Sequence, residues 1–163
     1  IVANLPYNVG TKMLINWVTE TPRFWDQMVL MFQKEVAERV CAAPGENAYG
    51  RLAVLCQSVA ECHMAFDIPA RSFTPPPKVD SAVVVMHPLA DGKGYPDLKL
   101  LGQVTQAAFG QRRKMLRVSL KSFAKKHGMT ATEWLEKAEI DPQLRPETLP
   151  VSDFQKLADI LKA

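Results

Sequence analysis

The sequence of 163 residues has no apolar run that approaches the roughly 20 residues needed to cross a membrane. It is also poor in cysteine: Cys41, Cys56 and Cys62 are an odd number without a C-x-x-C pair, which argues against a disulfide framework or a zinc site. The three histidines are scattered along the chain and indicate no metal or catalytic role. We therefore expect reduced core thiols, a cytosol-like compartment, and neither a membrane nor a metal as partner.

Glycine is scarce where a nucleotide-binding protein needs it. The only Gly-x-Gly, Gly92 to Gly94, lies in the segment Pro88–Pro96, which has the composition of a linker. No initiator methionine, basic targeting segment or cleavage site precedes the apolar residues Ile1–Ala3. We expect a chain that is clipped at its N-terminus and begins with the end of a buried strand.

Acidic residues are missing from one stretch of 35 residues, Leu98 to Thr132, which contains eight Lys and Arg. The segments before and after it carry a small negative charge, so the formal net charge of the chain is only +3. Such a local excess of positive charge indicates a polyanionic partner, and nucleic acid fits it better than a membrane surface.

Short β-rich runs alternate with helical periods before Pro88, in the predicted order β-α-β-α-α-β-β. This order is typical of half of a wound α/β sheet that ends in a hairpin. In the third predicted strand, Cys62–Ile68, we expect Met64, Phe66 and Ile68 to share the buried face. The other predicted elements are the strands Ile1–Ala3, Met28–Phe32 and Ala82–His87 and the helices from Thr11, Lys34–Ala43 and Arg51–Ala60.

Only helical periods follow the linker. They include an apolar stripe from Leu98 to Ala108, and Thr130 with Glu133 and Ser152 with Gln155 are typical of capping boxes that begin helices. The chain is therefore divided into an α/β part, a linker and a small α-helical domain, at residues 1–90, 91–97 and 98–163.

The tetrapeptide Asn4-Leu5-Pro6-Tyr7 directly follows the first predicted strand. An exocyclic aromatic amine such as N6 of adenine is a poor nucleophile, because its lone pair is delocalised into the ring. Two acceptors on its two N–H groups, the Asn4 side-chain oxygen and the Leu5 carbonyl, favour a pyramidal nitrogen and localise that pair. Pro6 fixes the turn, and Tyr7 offers a face to an extruded base. The alternative is an Asx-type turn with a buried tyrosine.

Basic side chains recur at every fourth position after residue 112, so that on one helix they align along one face. They are Arg113, Arg117, Lys121 and Lys125, with Leu116, Leu120 and Phe123 turned inward. Like charges at this spacing repel one another unless an anion meets them, and the phosphates of an RNA helix supply one. A merely solvated face is the alternative.

Five motifs occur in order along the chain: Asn4–Tyr7, Gln33–Val36, Tyr49–Leu52, Phe73–Ser81 and Gln111–Lys114. Together they resemble the small-subunit rRNA adenine dimethyltransferases, the KsgA family. The Arg-Arg-Lys element and an Ile-Asp-Pro turn are typical of this branch rather than of the related Erm enzymes, which act on large-subunit rRNA. The resemblance implies the second half of a Rossmann-like class I methyltransferase sheet, followed by an α-helical RNA-binding domain.

The resemblance also implies a reaction. The enzyme would use S-adenosylmethionine to dimethylate N6 of two adjacent adenines near the 3′ end of small-subunit rRNA, in the immature small ribosomal subunit. Asn4 and the Leu5 carbonyl would hold the target amine, with Asn4 also at the edge of the cofactor site. Tyr7 and Phe73 would sandwich the flipped adenine, whereas an aromatic plug of the hairpin core is the alternative for Phe73. Residues expected to contact RNA are Lys78, Arg112, Arg113, Lys114, Arg117, Lys121 and Lys125.

Parts of the family pattern are missing. A class I methyltransferase binds its cofactor with a glycine-rich turn and an acidic residue that this sequence lacks, and Glu139 stands where glycine usually precedes Ile140. We therefore expect a C-terminal part that is inactive alone and able to self-associate through an exposed sheet edge. A non-catalytic RNA-binding module of ribosome assembly and a DNA adenine methylase stay as alternatives, and a mitochondrial as well as a bacterial cytoplasmic location stays open.

Overall fold

A four-stranded sheet and eight helices make up the computed structural model, which describes all 163 residues. The strands are β1 (Val2–Asn4), β2 (Met28–Gln33), β3 (Ala60–Ile68) and β4 (Ser81–Pro88). The helices are α1 (Gly10–Thr19), α2 (Lys34–Cys41), α3 (Arg51–Gln57), α4 (Leu98–Phe109), α5 (Leu116–Ser119), α6 (Lys121–Lys126), α7 (Ala131–Lys137) and α8 (Val151–Lys162). The element order predicted before Pro88 is confirmed, including the antiparallel pair of β3 and β4.

The strands lie in the order β1-β2-β4-β3, with β1 parallel to β2 and the other neighbours antiparallel. In this register Asn4 lies beside Met31, and Ser81 lies beside both Gln33 and Ile68. The loops that follow β1 and β3 therefore emerge at the same end of the strands. The motif Asn4–Tyr7 begins there, and the motif Phe73–Ser81 ends there.

One strand departs from the predicted alternation. In β3, Met64 pairs with Val84 but Phe66 pairs with Val83, so Ala65 is an extra residue that forms a bulge. Beyond the bulge the faces are exchanged, and Phe66 is 58% exposed. The prediction that Phe66 shares the buried face with Met64 is wrong for this reason.

Two apolar clusters fill the molecule, one under the sheet and one among the later helices. Helix α3 contributes to both: Leu52 and Cys56 belong to the sheet cluster, whereas Ala53, Val54 and Leu55 belong to the helical cluster. The segment predicted as a linker is tied to the residues after α3 by two backbone hydrogen bonds of 2.9 Å, Leu89 to Val59 and Tyr95 to Ser58. The predicted domain boundaries stay predictions, but the two parts pack against each other through α3.

The helix ends match the sequence in part. Thr130 and Glu133 form the predicted capping box at the start of α7, and the apolar stripe of α4 is buried. Ser152 caps nothing, because α8 begins one residue earlier, after the extended backbone of Pro150. Glu139, after α7, has a φ of 59°, a left-handed conformation that explains why glycine suits this position.

The three cysteines are free thiols that lie in or against the sheet cluster. Only Cys56 is fully buried. Burial raises the pKa of Cys41 to about 11 and that of Cys62 to about 12, so neither forms a thiolate readily at neutral pH. None of the helices combines the length and the apolar character of a membrane span.

Candidate functional site

The loops at the carboxyl edge of β1 and β3 enclose a shallow cavity of about 360 Å³. It brings together all the residues that the sequence predicted for amine binding and base stacking, although they are up to 69 positions apart in the chain. The lining residues are Asn4, Leu5, Pro6, Tyr7, Met31, Phe73, Pro75 and Pro77.

The Asn4–Tyr7 loop is held by its backbone and by one apolar side chain. The Leu5 N–H donates to the Met31 carbonyl over 3.3 Å, and the Leu5 side chain is only 3% exposed. The Pro6 carbonyl accepts from the Gly10 N–H at 2.9 Å, which starts α1. The path of the loop is thereby set without any use of the Asn4 side chain.

Both candidate acceptors for an amine are free of partners within the chain. Neither the Asn4 side chain nor the Leu5 carbonyl forms an intramolecular hydrogen bond, and the Asn4 residue is exposed. Tyr7 is 45% exposed. The alternative of an Asx-type turn with a buried tyrosine is therefore wrong.

Two residues that the sequence analysis missed support this cavity. The Tyr7 hydroxyl lies 2.9 Å from the Oγ of Ser81, which is completely buried. Asp80 accepts from the Ala70 N–H through its carboxylate at 2.9 Å, and its own carbonyl accepts from the Lys34 N–H at 2.9 Å. Both residues lie inside the motif Phe73–Ser81, and their place in that motif is the sequence signal that could have identified them. Ser81 and Asp80 thus connect the loop after β1, the loop after β3 and the start of α2.

Phe73 is half-buried on an extended backbone and belongs to neither apolar cluster, so it does not plug the hairpin core. Phe73 and Tyr7 line the same cavity without stacking on each other. An aromatic face adjoining free hydrogen-bond acceptors is the setting that enzymes use for an extruded base.

A basic groove of about 610 Å³ lies on the helical part, and no acidic residue lines it. Arg117, Lys121 and Lys125 line this groove together, and none of them forms an ion pair. Arg113 does not continue their row, because Met115 is extended and α5 begins only at Leu116. The prediction that Arg113 aligns with them on one helix is therefore wrong.

The remaining predicted RNA contacts are placed elsewhere. Arg113 and Lys114 are exposed in the turn before α5. Arg112 is half-buried, and its Nη2 donates to the Asn47 carbonyl at 2.6 Å. Lys78 lies in a separate groove that it shares with Glu35 and Glu38, so the structure does not bring it to the basic groove.

The model of the ribosomal RNA adenine dimethylase family matches residues 1–163. The chain belongs to this family. It is 51% identical over 163 residues to the ribosomal RNA small subunit methyltransferase A of Maricaulis maris, covering 100% of this chain and 56% of the relative. It is 54% identical over 164 residues to the protein of the same name from Agrobacterium fabrum, covering 99% of this chain and 56% of the relative.

The dimethyladenosine transferase of Plasmodium falciparum has the same fold. Its crystal structure superposes with a TM-score of 0.78 at 24% identity, covering 96% of this chain and 64% of that protein. The family member described here thus has the mixed α/β methyltransferase architecture that the five motifs predicted. The chain spans about half the length of the curated relatives that it matches.

Proposed function

We propose that this chain provides the target-base loops and the RNA-binding region of an enzyme that dimethylates N6 of two adjacent adenines near the 3′ end of small-subunit rRNA. The observation that carries the proposal is the pair of unpartnered acceptors, the Asn4 side chain and the Leu5 carbonyl, in a cavity lined by two aromatic rings. As a family member with bacterial relatives, the enzyme would act in the cytoplasm on immature small subunits.

In this mechanism the chain's own residues prepare the amine. The Asn4 oxygen and the Leu5 carbonyl accept the two N–H groups of N6, which concentrates the lone pair on nitrogen. Tyr7 and Phe73 stack on the flipped adenine, and stacking on an aromatic ring is worth about 1–3 kcal/mol per base. No general base is required for this activation.

When bound to the full-length enzyme, S-adenosylmethionine would supply the electrophilic methyl group of the proposed reaction. The cavity lining contains neither glycine nor an acidic side chain, so it does not fit the adenosine part of this cofactor. Asn4 would touch only the edge of the cofactor site. We assign the rest of that site to the part of the full-length relatives that this chain does not span.

The experiment for the amine site replaces Asn4 by Ala in an enzyme of the full length of the relatives. Transfer of labelled methyl groups to immature small subunits should fall by more than tenfold, whereas RNA affinity should stay within about twofold, since Asn4 contacts no phosphate. Asn8→Ala, an exposed asparagine of the same loop, is the matched control. Methyl transfer within tenfold of the parent enzyme would refute the assignment of Asn4.

A second candidate function is a non-catalytic RNA-binding module, which the basic groove favours. If Arg117, Lys121 and Lys125 meet phosphates, changing all three to Gln should reduce the slope of log affinity against log salt by about 0.7–0.9 per lost contact. Lys137→Gln, an exposed lysine outside the groove, should not change it. An unchanged slope in the triple variant would mean that the groove is only solvated.

A further inference from the structure

A second cavity, of about 310 Å³, lies where the sheet part and the helical part meet. Three arginines line it from three separate segments: Arg39 on α2, Arg51 at the start of α3, and Arg112 in the turn after α4. Thr11 of α1 and Phe109 of α4 also line it. We call this set of residues the arginine cavity.

No carboxylate balances these guanidinium groups. The lining contains no Asp or Glu, and none of the ion pairs in the structure includes Arg39, Arg51 or Arg112. The Nε of Arg51 is buried and has no hydrogen-bond partner. Like charges that converge in a partly desolvated site destabilise the fold unless an anion joins them, and an unsatisfied buried donor adds to that cost.

The geometry is suited to an oxyanion. Arg112 is held in place because its Nη2 donates to the Asn47 carbonyl at 2.6 Å, which leaves its other N–H groups for a ligand. A guanidinium fork pairs with two oxygens of a phosphate at once, which an ammonium group cannot do.

We propose that the arginine cavity binds one backbone phosphate of the RNA substrate. This inference rests on the proposed function. Thr11 lies four residues after Tyr7, and Arg112 lies five residues before Arg117, so the cavity is joined by short segments to both the target-base loops and the basic groove. Arg39 lines the cavity and is exposed, so an RNA phosphate can reach it from solvent.

The test measures the salt dependence of RNA binding for the parent chain and for Arg39→Gln. Arg39 is exposed and makes no hydrogen bond or ion pair, so this variant should fold normally, as a melting curve would verify. The slope of log affinity against log salt should fall by about 0.7–0.9, the value for one phosphate. Arg145→Gln, an exposed arginine outside the cavity, should leave the slope unchanged.

A second arm uses inorganic phosphate as the probe, at an ionic strength matched with chloride. Phosphate should raise the melting temperature of the parent and of Arg145→Gln, but not that of Arg39→Gln combined with Arg112→Gln. Because Arg112 also holds the Asn47 carbonyl, the double variant is read by its response to phosphate and not by its stability alone. Arg112→Lys keeps the positive charge but loses the guanidinium fork. Its response to phosphate should therefore be smaller than that of the parent and larger than that of the double variant.

The two arms separate the possible failures. If the double variant lost the response to phosphate while Arg39→Gln left the RNA slope unchanged, the cavity would bind a free anion and not an RNA phosphate. No phosphate response in the parent, together with unchanged slopes, would overturn the arginine cavity as an anion site. If the parent bound RNA without any salt dependence, the proposed function would fail, while the phosphate arm would still test the cavity.

Discussion

The hydrogen bond between Tyr7 and Ser81 can be tested by removing each hydroxyl in turn. Ser81 is completely buried, whereas Tyr7 is 45% exposed. In Tyr7→Phe the Ser81 hydroxyl loses its partner and cannot reach water, a loss that costs about 1–3 kcal/mol. In Ser81→Ala the Tyr7 hydroxyl can turn to water, so the cost is that of an ordinary hydrogen bond, about 0.5–1.5 kcal/mol.

The double variant should be less destabilised than the sum of the two single variants. Replacing both partners leaves no unsatisfied hydroxyl, and such paired replacements are close to neutral. We therefore expect the order Tyr7→Phe, then Ser81→Ala, then the double variant, from least to most stable. For a chain of this size each kcal/mol changes the melting temperature by about 2–4 °C.

Urea unfolding of the 163-residue chain measures these differences as a double-mutant cycle. Tyr95→Phe is the control, because the Tyr95 hydroxyl donates to Asp159 at 2.8 Å in an exposed position and its loss should cost less. An additive cycle, or a larger loss in Ser81→Ala than in Tyr7→Phe, would show that Ser81 does not depend on Tyr7 for its hydrogen bond.

Three further predictions follow from individual residues. Glu139→Gly should raise stability by about 0.5–1 kcal/mol in urea unfolding, because glycine removes the left-handed strain at a φ of 59° but loosens the unfolded chain; no gain would contradict this strain. Hydrogen bonds from the Thr130 N–H and hydroxyl lower the pKa of Glu133, so Glu133→Gln should destabilise the chain at pH 7. The difference in stability between the parent and this variant should disappear as the pH falls through the lowered pKa of Glu133. An equal difference in stability at pH 3 and pH 7 would contradict this prediction. Calorimetry with the 163-residue chain should detect no saturable binding of S-adenosylmethionine, and micromolar binding would show that this chain itself contains the cofactor site.

Much of the fold could be predicted from local patterns. Strand and helix order follows from apolar periodicity, and the capping box of Thr130 and Glu133 needs only residues three positions apart. The tetrapeptide Asn4–Tyr7 lies directly after β1, as the sequence predicted, and its amine-binding role stays a prediction. These features depend on short-range geometry, which the sequence displays directly.

Errors arose where a neighbour in space overrode the local pattern. The bulge at Ala65 turns Phe66 outward because β3 must stay paired with β4, and no period in the sequence marks that extra residue. Helix α8 begins at Val151 rather than at a Ser152 cap, and Arg113 leaves the row of basic residues because the chain is extended at Met115. Each error is a boundary or a register, which tertiary contacts decide.

The sequence by itself therefore determined the family motifs, the place of the proposed amine-binding loop and the location of positive charge along the chain. Only the tertiary structure joined Tyr7 to Ser81 across 74 positions and brought Arg39, Arg51 and Arg112 around one cavity. The physical reason is the pairing of β2 with both β1 and β4 and the packing of α3 against both apolar clusters. Sheet register and helix packing bring distant residues together, and neither can be predicted from the spacing of those residues in the sequence.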